Sequence, residues 1–117
     1  MTQTLTPIVT DIDGAELVFT TCQAGDLVPI STTMLTVVFV KNTDNSSHTV
    51  TFTSKADPWG ITSSAHDVVL SVTNGTTKVF GVMLPNRWAS ATNTCALAYS
   101  ATTGMKIAVV HVPLSSL

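Results

Sequence analysis

Charged side chains are scarce in this sequence. Only 10% of its 117 residues are Asp, Glu, Lys or Arg, whereas a typical soluble domain carries roughly 25%. The formal net charge is −2, so the chain lacks the basic surface that nucleic-acid binding requires, and we expect no nucleic-acid partner. Serine and threonine must supply much of the polar surface. Such a composition is typical of a β-protein that packs against partners, or of a small soluble β-domain with an unremarkable surface.

Long apolar runs and export signals are also missing. No run approaches the roughly 20 residues that a membrane span needs. No N-terminal segment joins basic residues to an apolar stretch, as a secretory signal does. We therefore expect no membrane association, and synthesis and assembly in a cytoplasm. The only cysteines, Cys22 and Cys95, each lie in a strand-like context, so we predict two reduced thiols that serve as small hydrophobic residues.

Catalytic and metal-binding motifs are not found. There is no Gly-x-Ser-x-Gly nucleophile elbow. His48, His66 and His111 lie on separate predicted strands, without the convergent ligands that a metal site needs. Residues 11–14, Asp-Ile-Asp-Gly, match only the start of a calcium loop and lack its remaining ligands. We expect no enzymatic activity, no cofactor and no metal.

Strand patterns are abundant, and residues 35–54 show them best. Residues 35–41 form a dense β-branched and aromatic run. Residues 48–54 alternate strictly, which places Val50 and Phe52 on one face and threonines on the other. Residues 42–47 between them are all turn-forming types. The stretch predicts an antiparallel hairpin with one apolar face and one threonine face.

The same scheme recurs along the chain. Further strands are predicted over residues 7–12, 17–22, 27–30, 66–73, 76–82, 95–100 and 105–112. Pro29 confines its strand to an edge or an irregular stretch, and Asn74-Gly75 is the strongest hairpin signal. Eight or nine short strands without a helical pattern predict an all-β fold, an antiparallel sandwich or jelly roll. We expect one domain over residues 15–117, preceded by an arm and a first short strand over residues 1–14.

The apolar phases of these strands predict the core. We expect eight side chains on the inward face of two packed sheets: Val50, Phe52, Val68, Leu70, Leu97, Tyr99, Ile107 and Val109.

Candidate contact residues lie outside the strands. Trp59 is in a loop and Trp88 in a Pro-Asn-Arg-Trp corner, where an aromatic ring either plugs the end of the core or meets a partner. The first six residues have too little apolar surface to order themselves. We expect them to fray or to lie across a neighbouring subunit, with Pro7 marking where they leave the domain. The candidate partner contacts are therefore Met1, Thr2, Gln3, Thr4, Leu5, Thr6, Pro7, Trp59 and Trp88.

A family resemblance emerges from the order of these segments. The chain contains HTVTFTS, a Trp59-Gly60 loop, HDVVLSVTNGTTKVFGV, the corner LPNRW, and CALAYSATTGMKIAVVHV, together with Asn42 at the end of a core strand. Over roughly residues 15–112 this pattern resembles the capsid decoration, or cement, proteins of tailed bacteriophages. It departs from them at Val82-Met83, where such proteins often have Pro-Phe, and at Asn74-Gly75, where Ala-Gly is usual.

The resemblance implies a role as well as a fold. It implies a β-sandwich on the outside of an icosahedral head, made in the host cytoplasm, that binds the major capsid protein. There it would bridge capsid subunits, often as a homotrimer, against the pressure of packaged DNA. Two alternatives remain: another phage structural sandwich in a tail tube, baseplate or fibre, or a carbohydrate-binding module with Trp59 or Trp88 as its stacking platform.

Overall fold

A computed structural model describes residues 3–10, 14–54, 67–83, 85–88 and 92–113. The strands in these ranges are β1 (Gln3–Thr4), β2 (Ile8–Val9), β3 (Thr20–Thr21), β4 (Asp26–Pro29), β5 (Met34–Asn42), β6 (His48–Phe52), β7 (Val68–Val72), β8 (Thr77–Met83), β9 (Thr94–Tyr99) and β10 (Met105–Pro113). One helical turn, α1, covers Pro85–Trp88. Within these ranges no helix is long and apolar enough to cross a membrane.

Two packed sheets form a jelly roll. Sheet I has the strand order β1-β4-β9-β6-β7, and sheet II has the order β2-β10-β5-β8, with β3 also paired to β10. Four antiparallel pairs are nested in the sequence: β3 with β10, β4 with β9, β5 with β8, and β6 with β7. This nesting is the double Greek key of a jelly roll. The prediction of an all-β sandwich is confirmed, but each sheet is mixed and not purely antiparallel, since β1 pairs with β4 and β2 with β10 in parallel.

The predicted hairpins are wrong, although the chain turns where expected. β5 belongs to sheet II and β6 to sheet I, and the same change of sheet separates β7 from β8. A polar turn reverses the chain, but it does not specify whether the next strand joins the same sheet or the one stacked about 10 Å away. At the Asn74-Gly75 turn only Gly75 has a positive φ, of 77°, whereas the favoured hairpin turn needs a positive φ at both positions.

Four of the connections that cross between the sheets meet at one end of the molecule. We call this the four-turn end; it comprises residues 22–25, 43–47, 73–76 and 100–104. The Asn42 backbone N–H donates to Thr76 O (3.0 Å), and Asn42 O accepts from Gly75 N (2.8 Å). Thr43 N donates to Gly104 O (2.8 Å). Main-chain hydrogen bonds therefore join three separate connections.

The Asn42 side chain is buried at the centre of this end, with 1% of its surface exposed. Its Nδ2 donates to Ser46 O (2.9 Å) and to Val72 O (3.0 Å), and its Oδ1 accepts from Asp44 N (2.9 Å). His48 Nε2 lies 2.7 Å from Asp44 Oδ2, and this hydrogen bond lowers the pKa of the Asp44 carboxyl. Asn42 thus links the crossing turn to the end of β7.

The inward faces of both sheets build the core as predicted. Phe52 is fully buried, and its ring stacks on Phe80 of the opposite sheet with centroids 4.0 Å apart. The predicted register of β6 is therefore confirmed, since a slip of one residue would have turned Phe52 to solvent. Of the other predicted core residues, Val50, Leu97, Ile107 and Val109 are buried, and Val68, Leu70 and Tyr99 are half-buried against the core.

Some early strands differ from their predicted extent. The strand expected over residues 17–22 is reduced to Thr20–Thr21. β4 is not an edge strand, because it lies between β1 and β9. However, β1 pairs only with Asp26 and Leu27. Pro29 lies beyond that pairing, so its missing N–H is not needed there.

Candidate binding surface

The N-terminal segment forms part of the sandwich. β1 runs parallel to β4, with Gln3 opposite Asp26 and Thr4 opposite Leu27. The Leu5 N–H then donates to Leu27 O (2.9 Å), and the Leu5 side chain is buried in the core with 4% exposed. The prediction that this arm frays or crosses to a neighbour is therefore wrong for residues 3–5. The domain's own sheet supplies the hydrogen bonds, and burial of Leu5 contributes to offsetting the ordering entropy.

The segment continues onto the second sheet. β2 runs parallel to β10, with Ile8 opposite Val110 and Val9 opposite His111. Pro7 therefore lies where the chain passes from sheet I to sheet II, and it does not mark an exit from the domain. Both short strands that precede residue 15 are thus paired with strands of the sandwich.

Only some side chains of the N-terminal segment are exposed and therefore accessible to a partner. Thr4 and Thr6 are exposed, and Gln3 and Pro7 are half-buried. Met1 and Thr2, which complete the predicted contact set, lie outside the described residues.

Of the two tryptophans that we predicted as candidate contacts, the structure describes Trp88. Trp88 is 5% exposed, and its ring meets Phe80 edge-on with centroids 5.6 Å apart and Phe52 with centroids 6.5 Å apart. Of the two interpretations left open for Trp88, the structure supports the core plug, since a ring so enclosed offers no face to a partner or a sugar. Trp59 lies outside the described residues.

A buried polar cluster beneath the arm was missed by sequence reasoning. Asp26 is fully buried, and its Oδ2 accepts from Tyr99 Oη (2.5 Å) and from Gln23 N (3.1 Å). Its Oδ1 has no hydrogen-bond partner among the described residues. The alternation of β9 assigned Tyr99 to the apolar face, and nothing local links residue 26 to residue 99. The pairing of β4 with β9 brings them together.

The chemistry of this cluster suits hydrogen bonding rather than nucleophilic attack. Burial, followed by the hydrogen bond to Asp26, raises the pKa of Tyr99, so its hydroxyl stays protonated as a donor. Burial also raises the pKa of the neighbouring Cys22 to about 11. A thiol with so high a pKa is a poor nucleophile at neutral pH.

The second cysteine is equally enclosed. Cys95 Sγ lies 3.3 Å from Thr53 O as a hydrogen-bond donor, and burial raises the pKa of Cys95 to about 12. Both cysteines are free in the structure, in agreement with the predicted reduced state.

The histidines make structural contacts. His48 pairs with Asp44, and His111 Nε2 donates to Pro29 O (2.9 Å) across the two sheets. His66 lies outside the described residues. Among the described residues, no three His, Cys, Asp or Glu side chains converge as metal ligands would.

Comparisons with known proteins add no family assignment. No family model, curated protein or solved structure matches the chain.

Exposed apolar side chains define the surface that remains open to a partner. Val69 on β7 and Val79 and Val82 on β8 are exposed. Val9, Leu17 and Val18 are exposed as well. Strand residues that face water are ordinarily polar, so the exposed valines of β2, β7 and β8 are available for contact with a partner.

Proposed function

We propose that this chain is a structural virion protein that binds the outer surface of a bacteriophage head. There it contacts the major capsid protein and cements neighbouring capsid subunits as a homo-oligomer, a trimer. The segment pattern over roughly residues 15–112 supports this proposal. The jelly roll supports it at the level of fold, since viral capsid proteins use the same architecture, but fold alone carries little functional weight.

The observation that carries the proposal is the exposed apolar character of a chain with few charges. Val69 and Val79 are 62% and 59% exposed in the middle of edge strands. Only 10% of the residues are charged. Covering these side chains would remove apolar surface from water, which favours association with a partner.

Two alternative functions are distinguished by where and what the chain binds. A tail, baseplate or fibre protein would share the same surface chemistry but occupy few positions in a virion. A carbohydrate-binding module needs an exposed aromatic platform; Trp88 lies in the core, so Trp59 is the one tryptophan left for that role.

A binding experiment tests the proposal. Heads assembled without this chain are mixed with purified protein at increasing concentration, pelleted, and analysed for bound copies per head. We expect saturable binding at a stoichiometry that matches a regular set of sites over the shell. Binding of a few copies per particle would point to the tail, and binding to a glycan array but not to heads would point to the carbohydrate-binding alternative.

A further inference from the structure

An asparagine followed by a glycine forms the turn between β7 and β8. Asn74 and Gly75 are both exposed, and there is open space where a Cβ of residue 75 would lie. An asparagine in this position can cyclise, because the main-chain nitrogen of the next residue attacks its side-chain carbonyl carbon. A glycine offers that nitrogen without a side chain to hinder it. The sequence and the exposure of this pair therefore favour spontaneous deamidation of Asn74.

The folded turn, however, holds the attacking nitrogen in place. Gly75 N donates to Asn42 O (2.8 Å), and Thr76 N donates to Thr73 O (3.1 Å) across the turn. Gly75 has a φ of 77° and Asn74 does not have a positive φ, which identifies a type II turn. Ring closure requires the Gly75 nitrogen to eclipse the Asn74 Cβ. At the ψ of about +120° that this turn type gives Asn74, the nitrogen points well away from that carbon.

Asn42 anchors the residues on both sides of the pair. Its main-chain N–H donates to Thr76 O (3.0 Å), and its buried side chain donates to Val72 O (3.0 Å). The Gly75 nitrogen can therefore leave Asn42 O only when this end of the sandwich opens locally.

We propose that Asn74 is a latent deamidation site, which the hydrogen bond from Gly75 N to Asn42 O keeps closed until the four-turn end opens. In the open state the Gly75 nitrogen gives its proton to water and bonds to Asn74 Cγ. The bond from Cγ to the side-chain nitrogen breaks, and ammonia leaves after it takes a proton from water. Water then adds to one of the two ring carbonyl carbons and breaks its bond to the Gly75 nitrogen. The product has either an aspartate at position 74 or an isoaspartyl linkage, in which the main chain runs through the former side chain.

The reaction changes both the charge and the backbone of the turn. It adds a carboxylate to a chain whose formal net charge is −2. The isoaspartyl product also lengthens the main chain by one carbon before Gly75, which displaces the N–H that now reaches Asn42 O. Deamidation thus loosens the four-turn end irreversibly. This inference goes beyond the proposed function, because it requires no partner.

Peptide mass spectrometry tests the site and its protection. The parent protein is incubated at mildly alkaline pH, folded in buffer or unfolded in guanidinium chloride, and deamidation of Asn74 is followed with time. We expect the folded protein to react at least about tenfold more slowly than the unfolded protein, since reaction requires local opening. Gly75→Ala is the control for the chemistry. In the unfolded state this variant should react at least about tenfold more slowly than the parent, because its methyl group hinders the nitrogen.

Two destabilised variants distinguish local opening from global unfolding. Asn42→Ala removes the side chain that anchors the turn. Leu5→Ala is the matched control, because Leu5 is also buried but follows β1, at the opposite edge of sheet I from β7. Under conditions in which both variants remain folded, Asn42→Ala should accelerate deamidation at least about tenfold and Leu5→Ala less than about threefold.

Three results would overturn the proposal. Equal rates in the folded and unfolded parent would show that the folded turn gives no protection. No reaction of Asn74 in the unfolded parent would show that it is not a deamidation site. Equal acceleration by Asn42→Ala and Leu5→Ala would show that the reaction proceeds through global unfolding. None of these results depends on whether the chain binds heads.

Discussion

Replacing Asn42 by alanine should destabilise the fold more than the alanine replacement of any polar residue in the connections of the four-turn end. The side chain is 1% exposed and makes three hydrogen bonds to the main chain, of 2.9, 3.0 and 2.9 Å. Each is worth about 1 kcal/mol net, and the buried Val72 carbonyl would lose its side-chain donor. We therefore expect Asn42→Ala to lower the free energy of unfolding by about 3 kcal/mol.

The loss is measurable by urea denaturation followed by tryptophan fluorescence. A change of this size is a large fraction of the roughly 5–15 kcal/mol of a typical domain, and it should lower the melting temperature by roughly 10 °C or more. Asn45→Ala is the matched control, because Asn45 lies exposed in the same connection; it should change stability by less than about 0.5 kcal/mol. A loss below about 1 kcal/mol for Asn42→Ala would refute its role as the link between the crossing turns.

Three further predictions concern the arm, the turns and the thiols. Leu5→Ala should lower the free energy of unfolding by about 3 kcal/mol, because it removes a core side chain; chemical denaturation measures this. Gly104→Ala should cost more than about 2 kcal/mol, since Gly104 has a φ of +70° and a Cβ there would lie 2.6 Å from a backbone nitrogen. Gly75→Ala, with a φ of +77° and open space around it, should cost only about 1 kcal/mol. Cys22 and Cys95 should resist a thiol reagent at pH 8 in the folded protein, because burial raises both pKa values. Both should be labelled after unfolding without reductant.

Each of these three predictions would be contradicted by a specific result. Leu5→Ala is compared with Thr4→Ala, an exposed neighbour; equal stability of the two variants would mean that the arm is not anchored in the core. Equal losses for the two glycine variants would exclude the close contact between the connections at the four-turn end. Rapid labelling of one cysteine in the folded protein, or no labelling after unfolding, would contradict buried reduced thiols.

The strand pattern of the sequence is a reliable guide to what is buried. β6 begins at His48 as expected, and Phe52 is fully buried, because alternation with a period of two assigns each side chain to a face without any knowledge of the rest of the fold. The same reasoning places Val50 in the core and Thr51 on the outer face.

The pairing of strands could not be obtained in this way. Turn-forming residues at positions 42–47 and 74–75 signal a reversal, and a reversal between sheets has the same local chemistry as a hairpin within one sheet. The nested order of the jelly roll depends on contacts between residues far apart in sequence, such as Lys106 with Lys41. No periodicity encodes those contacts.

Isolated buried residues are equally hard to predict from the sequence. Leu5 is one apolar residue in a polar segment, and only the gap between the two sheets reveals its place. The Asp26–Tyr99 hydrogen bond likewise depends on the pairing of β4 with β9.

Cryo-electron microscopy of virions that carry this chain, compared with virions that lack it, tests the central claim most directly. We predict difference density on the outer surface of the head, repeated at equivalent positions of the icosahedral lattice, into which the jelly roll fits. Difference density confined to the tail, baseplate or fibres, or no difference on the head surface, would contradict the assignment of this chain as a protein of the head exterior.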